Sequence, residues 1–172
     1  VADVLDVRGN VSIATSAANA GLTAGTLLVG GNFTQTRTSS FQNFAAAGTH
    51  RVVLNGSGLQ TVSFDTPGLA DSRFQELELT NAAGVSFASN VQVNGNITLT
   101  SGAVTGAFTL TVPGGVVSLT PGTSLGVGAL ACYLTHDQRL TYYEIDPLDE
   151  RIARDPRYFT YLSDAGDRAN VV

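Results

Sequence analysis

The same short motif returns several times along the first part of the chain. Three segments have the form Val-x-Gly-Asn, then an apolar residue, then Ser or Thr: Val7–Val11, Val29–Phe33 and Val93–Ile97. The first two lie 22 residues apart and the second and third 64, close to three times that spacing, with weaker copies at 53–56 and 79–81. A period of about 20 residues containing strands and turns is what one coil of a β-solenoid requires. The motif therefore predicts stacked coils, each turned by a Gly-Asn corner.

The segments around these motifs alternate apolar and polar residues. The alternating runs are 5–8, 11–13, 62–64, 77–79, 91–93, 97–99 and 108–112. This period of two sends successive side chains to opposite faces of a strand. Turn sequences lie between the runs, at Asn55-Gly56, Asn94-Gly95, 113–115 and Pro121-Gly122, where Gly or Asn is expected to take a positive φ. We predict an all-β parallel β-solenoid (β-helix), and an antiparallel β-sandwich with hairpins at Asn-Gly stays open as the alternative.

Charge divides the chain into two parts. Residues 1–125 hold four Arg and six acidic residues, whereas residues 126–172 hold five Arg and eight acidic residues in far fewer positions. We therefore predict a solenoid module over 1–122 and a charged C-terminal segment over 123–172. In that segment Leu125–Leu134 suggests a glycine turn opening a short helix, Leu140–Ile145 a strand and Leu148–Arg154 a second helix. This order predicts a short α/β-like appendage that is a partial βαβ unit or caps the solenoid.

The solenoid part resembles a known kind of protein. Residues 48–56, 60–64 and 74–81 resemble β-helical repeats of large secreted or surface-attached bacterial proteins of adhesin type. The resemblance covers about residues 5–115. It implies a β-helical stalk or adhesive surface and brings no catalytic residues.

The C-terminal segment carries a second resemblance over about residues 125–172. Residues 126–128, 143–147 and 154–159 are similar to the spermidine-synthase-like branch of the class I methyltransferase fold. The resemblance implies that Gly126 and Gly128 would lie against an S-adenosylmethionine-type cofactor and that Glu144 would bind its ribose hydroxyls. However, Pro121 stands where that fold needs an apolar strand, and so short a segment cannot bury both faces of a parallel sheet. We therefore predict a fragment without a working cofactor site.

Other candidate chemistry along the chain is sparse. His50 and His136 lie in different segments, and His50 is expected on a solvent-facing strand position. The aspartates of the first part are Asp3, Asp6, Asp65 and Asp71, and no calcium-loop spacing accompanies them. We expect turn and surface roles for them, and no metal site.

Four N-x-S/T sequons, at Asn10, Asn32, Asn55 and Asn96, coincide with the repeat corners and are interpreted as turn residues. Arginines 139, 151, 154 and 157 alternate with acids and predict a solvated, mutually paired surface.

The overall composition narrows the choice of partners and compartment. A net charge of −5 argues against a nucleic-acid partner, and no apolar run approaches the roughly 18 residues of a membrane-spanning helix. Cys132 is the only cysteine, so no intrachain disulfide is expected. The first residue is Val and no signal peptide is visible, which suggests a processed form or a piece of a longer chain.

From these features we predict a non-enzymatic structural or adhesive module of an exported bacterial surface protein. It is expected at the cell surface or outside the cell, where it would bind surface glycans or associate with itself end to end into fibres. Two alternatives stay open. One is a fragment of an S-adenosylmethionine-type transferase. The other is a small carbohydrate-binding β-sandwich, against which the absence of Trp and the 8% aromatic content weigh.

Overall fold

A computed structural model describes residues 3–17, 22–136 and 139–145. The strands of these residues, in chain order, are β1 (Val4–Val7), β2 (Val11–Ile13), β3 (Thr26–Val29), β4 (Phe33–Gln35), β5 (Arg51–Leu54), β6 (Gln60–Phe64), β7 (Glu76–Leu79), β8 (Val85–Phe87), β9 (Val91–Gln92), β10 (Ile97–Leu99), β11 (Ala103–Thr105), β12 (Thr109–Val112), β13 (Val117–Leu119), β14 (Ser124–Gly126), β15 (Ala129–His136) and β16 (Arg139–Ile145). The described residues contain no helix.

The strands coil into a parallel β-solenoid of about five turns. Face A has the strand order β1-β3-β5-β7-β10-β13, and face B has the order β14-β11-β8-β6-β4-β2. Face C contains β9, β12, β15 and β16. Every pairing is parallel except the antiparallel pair β15–β16. The predicted solenoid is therefore confirmed, and the antiparallel sandwich is wrong, because consecutive strands lie on different faces rather than in hairpins.

Alternating residues on each strand fill the interior of the coil. On face A, one column of inward side chains runs through all six strands in register: Leu5, Leu27, Val52, Leu77, Ile97 and Val117. A second column runs through Val7, Val29, Leu54, Leu79, Leu99 and Leu119. Because these side chains stack directly on one another, each coil buries the apolar surface of the next. The predicted inward phase of these runs is confirmed.

Four phenylalanines form a cluster in this interior. The ring of Phe33 lies 4.9 Å from that of Phe44, 5.4 Å from that of Phe64 and 5.0 Å from that of Phe74, centroid to centroid. The angles between ring planes range from tilted to edge-on, as aromatic quadrupoles prefer. Face B contributes two of these rings, and the chain between faces B and A contributes the others.

Buried amide side chains close the corners between faces. Gln60 donates its Nε2 to the Val29 carbonyl at 2.8 Å, and its Oε1 accepts the Gly56 amide at 2.9 Å. Similarly, the Gln35 Oε1 accepts the Asp65 amide at 3.0 Å, and its Nε2 donates to Asn43 Oδ1 at 2.7 Å; both side chains are fully buried. Corner backbone cannot join a strand ladder, so these amides supply the hydrogen bonds that it would otherwise lack.

The recurring motif marks equivalent corners only in part. Val7 pairs with Val29 and Val11 with Phe33, so the first two copies occupy the same corner in adjacent coils. The third copy, at Val93, lies instead between faces C and A, because its Ile97 belongs to the face A strand β10. Equivalent face A positions are separated by 22, 25, 25, 20 and 20 residues. The prediction that Val93 occupies the same corner as Val7 and Val29 is therefore wrong, because the coils differ in length and a constant spacing does not hold.

Two of the corner glycines, Gly56 and Gly95, do not have the positive φ that was predicted for them. Gly122 has the expected positive φ of 91°. A Cβ on Gly56 would lie 2.6 Å from the carbonyl oxygen of Gly30 in the preceding coil. Glycine is needed there because two stacked corners approach each other closely, which leaves no room for a side chain.

The solenoid continues past residue 122. Strand β14 pairs in parallel with β11, and residues 129–132 of β15 pair in parallel with β12. The glycine turn and helix predicted over Leu125–Leu134 are therefore wrong, since register with the preceding coil extends these residues as strands. The predicted strand Leu140–Ile145 is confirmed within β16. The helix predicted at Leu148–Arg154 lies outside the described residues.

Candidate functional site

The N-terminal end of the solenoid contains an open apolar cavity of about 360 Å³. It is lined by inward side chains of the first coils, among them Leu5, Val7, Val11, Ile13, Leu22 and Phe44. The side chain of Leu5 is 63% exposed, whereas Leu27, its partner in the next coil, is 8% exposed. No described residue lies over β1 and β2, so their inward side chains face this cavity instead of another coil.

His50 lies on the inner wall of the cavity. It is 6% exposed, and its ring lies edge-on to Phe44 at 6.0 Å between centroids. Its Nδ1 atom is buried without a hydrogen-bond partner. The prediction that His50 faces solvent is wrong, because it precedes β5 at a corner where Gly48, with φ 60°, reverses the chain. Strand alternation does not apply at such a corner.

Burial also sets the charge state of His50. Desolvation lowers the pKa of this imidazole below its ordinary value of 6.5, since an apolar environment disfavours the charged form. The ring is therefore neutral at neutral pH. A neutral imidazole whose Nδ1 atom is buried without a partner therefore lies among the mostly apolar residues that line the cavity.

We expect the stability of the fold to fall on acidification through the range in which His50 titrates. Because its pKa is lower in the folded than in the unfolded state, the unfolded chain binds the proton more readily, and stability decreases as the pH drops from about 6.5 toward the folded pKa. Urea midpoints measured from about pH 8 to about pH 5 for the wild type and His50→Leu would show this. The difference between the two curves should change across this range; parallel curves would contradict the assignment.

The asparagines of the sequons connect adjacent coils. Asn10 Oδ1 accepts the backbone amide of Asn32 at 2.8 Å, and Asn32 Oδ1 accepts that of Thr61 at 2.8 Å. Asn96 Oδ1 accepts the amide of Val116 at 2.8 Å in the same manner. The corner role predicted for these three residues is confirmed, and each amide also holds the following coil in place.

The three residues implied by the transferase resemblance lie at the C-terminal end of the described coils. Gly126 ends β14, and Gly128 directly precedes β15. A Cβ on Gly128 would lie 2.6 Å from the carbonyl carbon of Ala107 in the preceding coil, so stacking alone requires glycine there. Glu144 lies on β16 and pairs with Ala131, and Ala131 is three residues after Gly128 in the sequence. These positions give Gly128 a packing function and add no geometry that points to a cofactor.

Asp65 has the turn role predicted for it. Its carboxylate accepts the backbone amide of Arg37 at 2.9 Å. Within the described part of the chain, no group of three His, Cys, Asp or Glu residues could hold a metal ion. Nor does that part contain a helix long and apolar enough to span a membrane.

The outer surface of face B is rich in hydroxyl groups. In one column the strand register places Thr61, Ser86 and Thr105 beside one another, and in another it places Ser12, Thr34 and Ser63 together. Neighbouring strands are about 4.8 Å apart, so these hydroxyls form regular rows on a parallel sheet. Such rows can donate and accept hydrogen bonds to a polar surface without any charged group.

Aromatic rings are also exposed at the corners of the solenoid. The Phe41 ring lies under the Arg37 guanidinium at 3.8 Å from its centroid, which is a cation–π contact. Phe108 is 41% exposed. The outer surface thus combines hydroxyl rows with single aromatic rings.

Comparison of the chain with models of protein families, with curated proteins and with solved structures finds no match. Of the two resemblances, only the β-solenoid architecture implied by the first is confirmed. The relation to adhesin-type proteins and the relation to the transferase branch stay predictions.

Proposed function

We propose that the chain is a non-enzymatic structural or adhesive module of an exported bacterial surface protein. The observation that carries the proposal is the continuous interior: two apolar columns run through all six strands of face A, and aromatic rings fill the space between the faces. An interior that is filled by stacked side chains makes the solenoid long and rigid. It leaves recognition to the outer surface and to the ends.

The chemistry of the outer surface supports contact with other surfaces. Face B offers rows of Ser and Thr hydroxyls, and the corners offer exposed rings such as Phe41. Hydroxyl rows and aromatic rings are the groups that bind sugar hydroxyls and sugar faces. Surface glycans and copies of the same module are the partners that we propose.

The fold does not depend on the redox environment. With Cys132 as the only cysteine it needs no intrachain disulfide, and its stability comes from apolar stacking. Redox conditions therefore do not decide whether the coils form. This is compatible with a location at the cell surface or in the extracellular space, which we propose because the proposed partners lie there.

Display of the chain on a non-adhesive bacterium would test the proposal. Displaying cells should aggregate or bind glycan-coated surfaces more than cells that display Phe74→Ala, which is expected to destabilise the core while leaving the outer surface composition unchanged. Soluble protein should give no thermal shift with S-adenosylmethionine. Saturable binding of that cofactor would favour the transferase fragment, and equal adhesion of the two displayed proteins would count against an adhesive module.

A further inference from the structure

Two Asn-Gly pairs lie at corners of the described coils. Asn55-Gly56 follows β5, where face A meets face B, and Asn94-Gly95 lies between β9 on face C and β10 on face A. A Cβ on either glycine would lie 2.6 Å from a backbone carbonyl oxygen of the preceding coil. Close stacking therefore requires glycine at both positions, and each asparagine is followed by the residue that most favours its deamidation.

An asparagine that precedes glycine can react with its own backbone. The glycine nitrogen attacks Cγ of the asparagine and forms a cyclic imide. The bond from Cγ to Nδ2 breaks, and the NH2 group leaves as ammonia with the proton of the glycine N–H. Water then opens the imide at either carbonyl, which gives aspartate or isoaspartate. Glycine favours ring closure because its backbone is permissive and no side chain hinders the approach.

Hydrogen bonds hold the two asparagine side chains to different extents. The Asn94 side chain is held at both ends: its Oδ1 accepts the Gln92 Nε2 at 2.7 Å, and its Nδ2 donates to the Leu69 carbonyl at 3.2 Å. The side chain of Asn55 is exposed, and no described residue makes a hydrogen bond to it. The carbon that must be attacked is therefore fixed in the second pair and unrestrained in the first.

The two glycine amides are restrained in the same way. Gly56 donates to Gln60 Oε1 at 2.9 Å, and Gly95 donates to the Gln75 carbonyl at 2.8 Å. Each of these bonds must break before the glycine nitrogen can attack. The reacting groups of the first pair thus have one hydrogen bond to lose, and those of the second pair have three.

We propose that Asn55 is a site of nonenzymatic deamidation in the folded protein and that the folded chain protects Asn94. Isoaspartate carries the main chain through Cβ and Cγ, so it inserts one more backbone atom at a corner where Gly56 already lies against the preceding coil. It also displaces the Gly56 amide from Gln60, whose side chain is fully buried. Deamidation is therefore expected to weaken the corner between faces A and B as the protein ages.

Storage of the full 172-residue chain at mildly alkaline pH, below its unfolding transition, would test the proposal. Peptide mapping by mass spectrometry locates each asparagine that has exchanged NH for oxygen. We expect Asn55 to react at least about tenfold faster than Asn94, because two additional hydrogen bonds hold the second side chain. In a denaturing concentration of urea the two should react at similar rates, since each is then followed by an unrestrained glycine.

The effect on the corner is measured with Asn55→Gln. Glutamine keeps a neutral amide at this exposed position, and its extra methylene disfavours ring closure. Loss of the hydrogen bond between Gly56 and Gln60 alone corresponds to a fall of about 2–4 °C in the thermal midpoint of the deamidated wild type. The stored variant should keep the midpoint that it had when fresh.

Several outcomes would overturn the proposal. Equal rates at the two asparagines of the folded protein, or a faster reaction at Asn94, would show that the hydrogen bonds do not control the reaction. A rate difference that persists in urea would have its origin in the local sequence and not in the fold. An equal fall of the thermal midpoint in stored wild type and stored Asn55→Gln would place the ageing at another site.

Discussion

Replacing Phe74 with alanine is expected to lower the free energy of unfolding by about 3–5 kcal/mol. Phe74 is fully buried, and its ring lies 5.0 Å from the rings of both Phe33 and Phe64. Removing it loses the transfer free energy of the ring and leaves a cavity between coils. The rigid strand stacking on the three faces limits how far this cavity can collapse. Urea unfolding followed by circular dichroism measures the loss.

Phe108→Ala is the matched control for this substitution. Phe108 is 41% exposed on the outside of the solenoid, so the same change of residue there should alter the free energy of unfolding by less than about 0.5 kcal/mol. Similar losses for the two variants would mean that the phenylalanine cluster does not hold the coils together.

Replacing Gln60 with leucine is expected to cost about 3 kcal/mol or more, although the residue becomes more apolar. The buried amide donates to the carbonyls of Val29 and Gly31 and accepts from the Gly56 amide and the Asn81 side chain. Leucine has a similar volume but removes all four hydrogen bonds. The Val29 carbonyl still accepts the Asn55 amide and the Asn81 side chain still donates to Gly58, but the Gly31 carbonyl and the Gly56 amide lose their partner, and each such buried group costs about 1–3 kcal/mol. Thermal and urea unfolding both measure this effect.

Gln42→Leu is the control for the corner amide. The side chain of the exposed Gln42 donates one hydrogen bond, to the Ala70 carbonyl at 2.6 Å. Water replaces that bond when the amide is removed, so we expect a loss of about 1 kcal/mol or less. If Gln60→Leu were as stable as the wild type, the corner amides would be dispensable, and apolar stacking alone would turn the chain.

The inward and outward residues of the strands could be predicted from the sequence, because on a half-buried sheet an alternation of apolar and polar residues places the apolar ones inside. Leu77, Leu79, Ile97 and Leu99 all point inward as this alternation requires. The same phase extends to Gln35 and Gln60, which stand two residues from Phe33 and Val62. Their polarity suggests a surface position, yet the alternation places them inside. The position of Gln35 and Gln60 in the alternation thus predicts correctly that they are buried, whereas their polar character predicts wrongly that they are exposed.

The corners could not be predicted as well as the strands. Coils of 20 to 25 residues share one register on face A, because insertions at a corner leave the inward columns undisturbed. A constant sequence period therefore loses the alignment after two coils, which is why Val93 was placed at the wrong corner. His50 was missed for a related reason: a residue between strands follows the local turn at Gly48 rather than an alternation.

The C-terminal error has a different physical origin. The segment from Ala129 to Cys132 has no alternation of apolar and polar residues, so local sequence does not separate strand from helix. Its pairing with β12, residue for residue from Thr109 to Val112, extends it as a strand. This information belongs to the preceding coil and is not present within the segment itself.

The inward residues of successive face A strands pair with one another in every coil. The number of coils can therefore change without any change in the structure of a single coil. Leu27 and Leu77 occupy the same column position two coils apart, so a gene that lost or duplicated the intervening segment would still encode a continuous column. Each such event would shorten or lengthen the protein by about 4.8 Å, the spacing between strands. The length of the proposed surface module thereby becomes a property that recombination can adjust in uniform steps, without redesign of the interior.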